Sequence, residues 1–488
     1  MGVVEMIEIN RSEDALYYAT AIREKRLSAK ELVLQAIMKI ETHNKQVNAV
    51  IHPRFEAALK EAESRDFTGK PFGGVPILLK DMGQTLKGEP ATSGSVLLKN
   101  VRSHQTSHYT QALQDAGFII IGQTNIPEFG FKNITEPELY GPSRNPWNTA
   151  YSPGGSSGGA AAAVATGMVP IAGASDGGGS IRIPASFTGL VGLKPTRGRM
   201  PVGPGSGRNW QGASIDFALT KSIRDTSALL QSMQTVQLAA AFQTPLLPNN
   251  FMENSKRQFR IAYSLKSPIN SPVSDEAKKA VLKIVAWLDK NGHDVSEKDP
   301  DYDGIALMKS YYTMNCGETT AMLEGIENQL GRGLTIDDME LVTWVLYQAG
   351  KNISAADYSR TLKAWDATAE TMAHFHDDYD LLLTPTTADL APLVAQEWQS
   401  QELQAKMATI QDYSASEQAQ IVWDMFDESL PITPFGMQAN LTGAPSLSLP
   451  VHLTASGLPL GVQLTAPKGR EDWLLVLGEA IEAAGLFI

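Results

Sequence analysis

This 488-residue chain is predicted to adopt an α/β fold, on three observations. Short apolar runs such as Val75-Pro-Ile-Leu-Leu79, Phe118-Ile-Ile-Ile121 and Leu381-Leu-Leu-Thr-Pro385 alternate with helix-patterned segments along the whole chain. Hydrophobic residues at 43% and charged residues at 19% are ordinary globular proportions, ample for a large buried core. No repeat of solenoid period, low-complexity tract or linker interrupts the alternation. Length alone would allow about three domains, but large α/β enzymes often run longer as one unit.

The elements follow in order. Ser28-Ala-Lys-Glu31 is a capping box, and Leu32, Ala36, Ile37 and Ile40 form one apolar helix face behind it. The run from Gly73 ends as a short strand on Lys80, and Gln111 to Gly117 reads as helix and turn before the strand at Phe118. From Pro142 to Gly179 glycine, serine, proline and alanine dominate, and loops are expected to frame one helix, roughly 159–166. Arg260-Ile-Ala-Tyr263 is a strand. Ser274 starts a helix with Ala277, Val281, Ile284 and Leu288 on one face, closed by Asn291-Gly292. Residues from about 300 to 435 are helix-rich, and their aromatics, Tyr311, Tyr312, Trp344, Tyr347, Trp365, Trp423 and Phe426, are read mainly as core. Near the end, Ser446-Leu-Ser-Leu-Pro-Val451 and Gly461-Val-Gln-Leu-Thr465 are strands about a Ser456-Gly457 turn, before a last helix from about Glu471.

Composition excludes several function classes. A net charge of −12 disfavours nucleic acid, whose phosphates need a basic face. One cysteine, Cys316, permits neither an internal disulfide nor a cysteine zinc cluster, and is read as a small buried hydrophobe. His374 and His376 stand at i, i+2 and face apart on a helix, and no H-E-x-x-H occurs, so no metal is expected. Met1 to Asn10 shows no cationic stretch before an apolar one, and Met6 breaks a myristoylation pattern. The uncharged stretch Ser152 to Ser175 contains Pro153 and Pro170 and reads as buried polypeptide, not as a membrane span. A cytoplasmic location is the default expectation, with a homodimer left open.

The chemistry is concentrated in Gly154-Gly-Ser156-Ser157-Gly-Gly159 and Asp176-Gly-Gly-Gly-Ser180-Ile-Arg182-Ile-Pro184. Taken alone, the first run is a flexible turn. It also satisfies Gly-x-Ser-x-Gly, the nucleophile elbow of α/β-hydrolases, but Asn148-Thr-Ala-Tyr-Ser-Pro153 is a poor strand to precede an elbow. A phosphate-binding P-loop fails because no Gly-Lys-Ser/Thr follows. Lys80 ends five apolar residues, which sets it apart from an ordinary solvated lysine.

Together these segments resemble the amidase signature family, with Ser180 standing 24 positions after Ser156 as that family requires. Val75 to Asp81, Gly122 to Glu128, Arg144-Asn-Pro-Trp-Asn148, Gly192-Leu-Lys-Pro-Thr196, Leu219 to Asp225 and Gly461-Val-Gln463 carry the likeness over about residues 10 to 485. Within the family, Thr135-Glu-Pro-Glu138 before Arg144 and the place of Cys316 are similar to stand-alone amidases of the 6-aminohexanoate-cyclic-dimer hydrolase type.

The resemblance implies one α/β/α domain with a mixed, twisted sheet covered by helices. It spans about 1–70 as N-terminal helices, 71–235 as catalytic core, 236–435 as a helix-rich pocket region and 436–488 as closing strands and helix. It implies hydrolysis of a small-molecule amide through a seryl acyl-enzyme, with no metal or organic cofactor. Ser180 would be the nucleophile, Ser156 (after a cis peptide at Gly155) the relay, and Lys80 the base and then the acid. Lysine serves as a base only when neutral, about one molecule in 2,500 at pH 7 for the model group, so burial must depress its pKa. The relay suits a hydroxyl, which both gives and accepts a hydrogen bond. The N–H groups of Gly177, Gly178 and Gly179 with that of Ser180 would hold the oxyanion, while Ser157, Asp176 and Arg182 support the loops. Gly177 replaces the bulkier residue of many relatives and is expected to add room. Thr188 stands where relatives often carry Cys, with no role inferred. The runner-up is the glutaminase subunit of a tRNA-dependent amidotransferase. Its Gly-Tyr-Tyr-Asp-Ala-Tyr-Tyr-like stretch is missing here, where Thr343-Trp-Val-Leu-Tyr347 stands. A non-catalytic binding module is disfavoured by the presence of all three catalytic residues.

Overall fold

Eleven strands hydrogen-bond into one mixed sheet in the computed structural model, which describes residues 9–255 and 257–488. Residues 1–8, most of the stretch searched for a leader and an acylation signal, lie outside the described residues. The strands are β1 (Val50–Pro53), β2 (Pro76–Lys80), β3 (Ile119–Thr124), β4 (Ala172–Asp176), β5 (Val191–Lys194), β6 (Ile215–Thr220), β7 (Arg260–Tyr263), β8 (Asp294–Glu297), β9 (Leu381–Pro385), β10 (Ser446–Leu453) and β11 (Pro459–Thr465). Their order is β1-β3-β2-β4-β6-β5-β10-β11-β9-β7-β8. β2 runs parallel to both β3 and β4, whereas β4 and β6 are antiparallel. Strand direction therefore changes beside the carboxyl ends of β2 and β4, the kind of place where open α/β sheets bind ligands.

Helices cover both faces. Successive strand residues point to opposite sides, and in β10 Leu447 lies against Gly478 of the helix Glu471–Ala483 while Ser448 lies beside Gly461 and Ser186 of the helix Arg182–Thr188. All five residues of β2 and all five of β4 are buried, as strands covered on both faces must be. The capping box at Ser28 forms with both of its hydrogen bonds, and Ser274 caps the helix Asp275–Lys290.

The segment 142–179 departs from expectation. It holds the helix Gly158–Ala165, but also β4, in the middle of the sheet. Ala172-Gly-Ala-Ser-Asp176 lacks the β-branched residues that announce a strand. Packing explains one of the small residues: a Cβ on Gly173 would meet Gln84 Oε1 at 2.2 Å.

Between β8 and β10 the helices Gly304–Leu330, Leu341–Gly350, Ala355–Asp378, Gln401–Ala408 and Ala415–Asp427 flank β9 in sequence. Met308, Tyr312, Cys316, Val345, Leu346, Met407 and Ile421 belong to a core cluster of their own. Burial pushes the Cys316 thiol up to about 12, so it stays a neutral packing group. His376 bonds the carbonyl of Tyr379, and His374 lies exposed near Asp377.

Candidate active site

β2 delivers Lys80 to the carboxyl edge of the sheet with none of its surface exposed. Its Nζ donates to Ser156 Oγ at 2.7 Å, to Ser157 Oγ at 2.9 Å and to the carbonyl of Ser175 at 3.4 Å. Burial lowers the Lys80 pKa to about 7, against the opposing pull of the Asp216 and Asp176 carboxylates. An ordinary lysine titrates at about 10.4, so a substantial fraction of this one is neutral at physiological pH.

The serine loop is fastened from two sides. Thr135 Oγ1 donates to the carbonyl of Gly154 at 2.9 Å and accepts from the N–H of Gly158 at 3.1 Å. The N–H of Gly159 donates to the carbonyl of Asn125 at 3.2 Å. Between these anchors the Gly155–Ser156 peptide is cis, and Ser156 is 2% exposed.

Ser180 follows β4 by a tight loop and is 6% exposed. Asp176 organises that loop: it accepts from the N–H groups of Gly179 at 2.8 Å and Ile181 at 3.2 Å, and pairs with Arg182 through Nε at 3.0 Å and Nη2 at 2.9 Å. Burial alone would raise the Asp176 carboxyl, but the Arg182 guanidinium outweighs it and holds the group well below the usual carboxylate range. Arg182 also donates to Gln463, Asn440 and the carbonyl of Gly436, so the ion pair ties the loop to β11 and the helix Met437–Thr442. This geometry modifies the expected donor set. The N–H of Gly179 is spent on Asp176, whereas those of Gly177, Gly178 and Ser180 have no partner among the described hydrogen bonds.

Ser156 and Ser180 line one cleft with Gly177, Asp216, Trp210 and Glu318. No hydrogen bond joins the two hydroxyls among those of the described residues. A second cavity opens beside Gly178, with Phe131, Tyr311, Tyr312 and Phe426 on its walls. The boundary is aromatic: Phe131 and Trp210 stack with centroids 6.1 Å apart, and Tyr311 meets Trp210 edge-on at 6.1 Å. Two of the three glycines before Ser180 fit these rings. A Cβ on Gly177 would sit 2.9 Å from the Trp210 ring, and one on Gly178 would sit 2.6 Å from the Tyr311 hydroxyl. The room expected from Gly177 is thus already filled by Trp210.

The structure adds residues that motif reading missed. Gln84 accepts from the N–H of Lys80 at 2.9 Å and donates to Asp216 at 3.1 Å, placing a carboxylate from β6 near the lysine. Burial raises the Asp216 carboxyl to about 6. Asn440 holds the carbonyl of Asp176 at 2.8 Å. Gln84, Asp216, Trp210 and Asn440 lie outside the glycine-serine motif, and the sequence carries no local signal for them. Gln463 and Thr135 lie in stretches already noted as familial.

Known proteins share this arrangement of elements. The chain is 44% identical to a lipoamidase of Enterococcus faecalis across 96% of its own length, and spans 63% of that relative. It is 32% identical to a 6-aminohexanoate-cyclic-dimer hydrolase of Paenarthrobacter ureafaciens, covering 98% of this chain and 96% of the other. A solved structure of 6-aminohexanoate cyclic dimer hydrolase complexed with substrate superposes with a TM-score of 0.87 at 31% identity, covering 98% of both chains. No helix among the described residues is long and apolar enough to cross a membrane. With the family model described as Amidase matching residues 31–475, this chain belongs to the amidase signature family, enzymes that hydrolyse amides.

Proposed function

We propose that this amidase cleaves carboxylic amides through an acyl-enzyme on Ser180, with Lys80 as general base acting through Ser156. The observation that carries the reading is the buried Lys80, lowered to about 7 and bonded to Ser156 at 2.7 Å. A neutral lysine takes the Ser156 proton as Ser156 takes that of Ser180, which then attacks the amide carbonyl. The free N–H groups of Gly177, Gly178 and Ser180 support the oxyanion. Lys80, now charged, returns its proton through Ser156 to the leaving amine, and water discharges the acyl-enzyme with the same groups as base. The last link, Ser156 to Ser180, closes when substrate is bound, since catalytic hydrogen bonds often tighten only in the loaded site.

The acyl group goes to the cavity beside Gly178, where aromatic and aliphatic side chains suit a hydrocarbon chain. The name of the 44% relative, lipoamidase, points to the same class. A glutamine substrate would bring an ammonium and a carboxylate into that space. Among the described residues the one cation on its wall, Lys132, is already paired with Glu340 at 2.5 Å, so the stand-alone amidase reading is the better supported.

The Ser180→Ala variant is expected to lose turnover by about 10⁴-fold or more with its circular dichroism unchanged. Lys80→Ala should retain slow acylation that increases with pH. Both are read by amine release across short, long, aromatic and cyclic amides. Native-like hydrolysis by Ser180→Ala would overturn the nucleophile assignment.

A further inference from the structure

We propose that Tyr312 is the partition that fixes the longest acyl chain this enzyme accepts. The inference rests on the amidase reading, with the acyl group in the cavity beside Gly178, and deepens it to chain length. Two hollows meet at this one side chain. Tyr312 lines the cavity beside Gly178, and it also lines an outer pocket together with Lys309, Cys316, Asn352, Val422 and Trp423. Among the described residues it is the one that both linings share. Lys309, Asn352, Ser416 and Gln420 of the outer pocket are exposed, so that pocket opens to water.

Helix geometry explains the shared wall. On the helix Gly304–Leu330, Tyr311 and Asn315 face the inner cavity, while Lys309, Thr313 and Cys316 face the outer pocket. Tyr312 falls between these two faces. On the helix Ala415–Asp427 one face runs past both hollows, with Ala419, Val422 and Trp423 on the outer one and Phe426 on the inner. The Tyr312 ring sits at the joint, stacked on Phe426 with centroids 4.8 Å apart and edge-on to Trp423 at 6.2 Å. Lys309 Nζ lies over the Trp423 ring at 5.3 Å on the outer side. The path from the nucleophile loop leads to this ring: the Tyr311 hydroxyl abuts Gly178, and the Tyr311 and Tyr312 rings are 5.8 Å apart. The Tyr312 hydroxyl has no partner among the hydrogen bonds of the described residues, so packing alone keeps the ring in place. An acyl chain that enters at Gly178 therefore ends on Tyr312, and a longer one must push the ring from its stack, as overpacking a filled core does.

The test is a series of p-nitroanilides of linear acyl chains lengthened one methylene at a time, each profile scaled to its own shortest substrate. In the native enzyme kcat/KM should rise by up to about fourfold per methylene while the chain lengthens inside the cavity. It should then fall about tenfold or more on the first methylene that meets Tyr312. Tyr312→Phe should keep that break, and Tyr312→Ala should turn the fall into a further rise. Ala419→Trp fills the outer pocket from an exposed position. Alone it should leave the profile as it is, and in the Tyr312→Ala background it should bring the break back, which a general loosening of the wall would not allow. Fluorophosphonate labelling of Ser180 reports that each variant is folded. Should Tyr312→Ala fail to label, Tyr312→Leu takes its place and should move the break to a longer chain. A native profile without a break, a break that Tyr312→Ala or its substitute leaves in place, or a double variant that stays open overturns the proposal. So does a dependence on Tyr312 that appears only when the amine side of the substrate is lengthened. The acyl series is also titrated calorimetrically against Ser180→Ala. A break in affinity with no labelling and no turnover of the native enzyme would sustain the partition and sink the hydrolase reading. Labelling and turnover without a break would sink the partition alone.

Discussion

Lys80 works only where two opposing influences nearly balance. Burial disfavours its charged form, while the Asp216 and Asp176 carboxylates favour it, and the result is a group titrating at about 7. In the proposed role the lysine is a base only when neutral, so kcat/KM for an uncharged amide should fall about tenfold per pH unit below that value and level off above it. Asp216→Asn keeps an acceptor for Gln84 but removes a negative charge that had favoured the ammonium. The acidic limb should therefore move to lower pH, which a pH profile of kcat/KM on native enzyme and variant will show. A limb that stays in place or moves upward would separate the profile from Lys80. This residue was readable in the sequence because a lysine closing five apolar residues is unusual and the serine motifs gave it partners. Asp216 was not, because only the antiparallel pairing of β6 with β4 places it opposite Ser175.

At the scale of elements, the loop from β4 to Ser180 and the loop carrying Trp210 are fitted to each other. Trp210 and Gln211 both hold positive φ, 48° and 52°, which side-chain-bearing residues adopt at a cost of about 1–2 kcal/mol each. Gln211 is held there by Glu318 at 2.9 Å, which also accepts from Tyr358, and Trp210 by its stack on Phe131. Gly177→Val would drive a side chain into that ring. We expect it to cut kcat/KM severely, and Trp210→Ala to recover part of the loss in the double variant. The coupling in a double-mutant cycle should be about 0.5–3 kcal/mol, and strict additivity would refute the fit. The elements themselves were unevenly legible. Apolar runs such as Ile119–Thr124 and Leu381–Pro385 and capped helices such as Asp275–Lys290 follow their local patterns. β4 does not, and its Gly173 answers to the Gln84 side chain packed on it and not to strand propensity. The N–H groups before Ser180 differ from one another at Gly179 for a similarly local reason. The Asp176 carboxylate turns back onto the N–H of Gly179, a short-range competition that a motif does not display.

Across the whole molecule the work divides between the sheet, which fixes Lys80, Ser156 and Ser180, and the helices after β8, which wall the cavity beside Gly178. Those helices are packed about their own apolar cluster, in which Leu346 has no exposed surface. Truncating it in Leu346→Ala should cost about 2–5 kcal/mol. In a chain of this size the loss is expected to appear first as local opening. Hydrogen exchange should quicken in the helices Gly304–Leu330, Leu341–Gly350 and Ala415–Asp427 while β2 and β4 keep their protection. Function should divide along the same line. A small fluorophosphonate needs only the groups at the sheet edge, so its rate of reaction with Ser180 should fall little. A long acyl amide also needs the wall built from Tyr311, Tyr312 and Phe426, so its kcat/KM should fall by a clearly larger factor. Equal losses for both reagents, or exchange that rises in β2 and β4 together with the helices, would mean that catalytic edge and cavity wall are one cooperative unit.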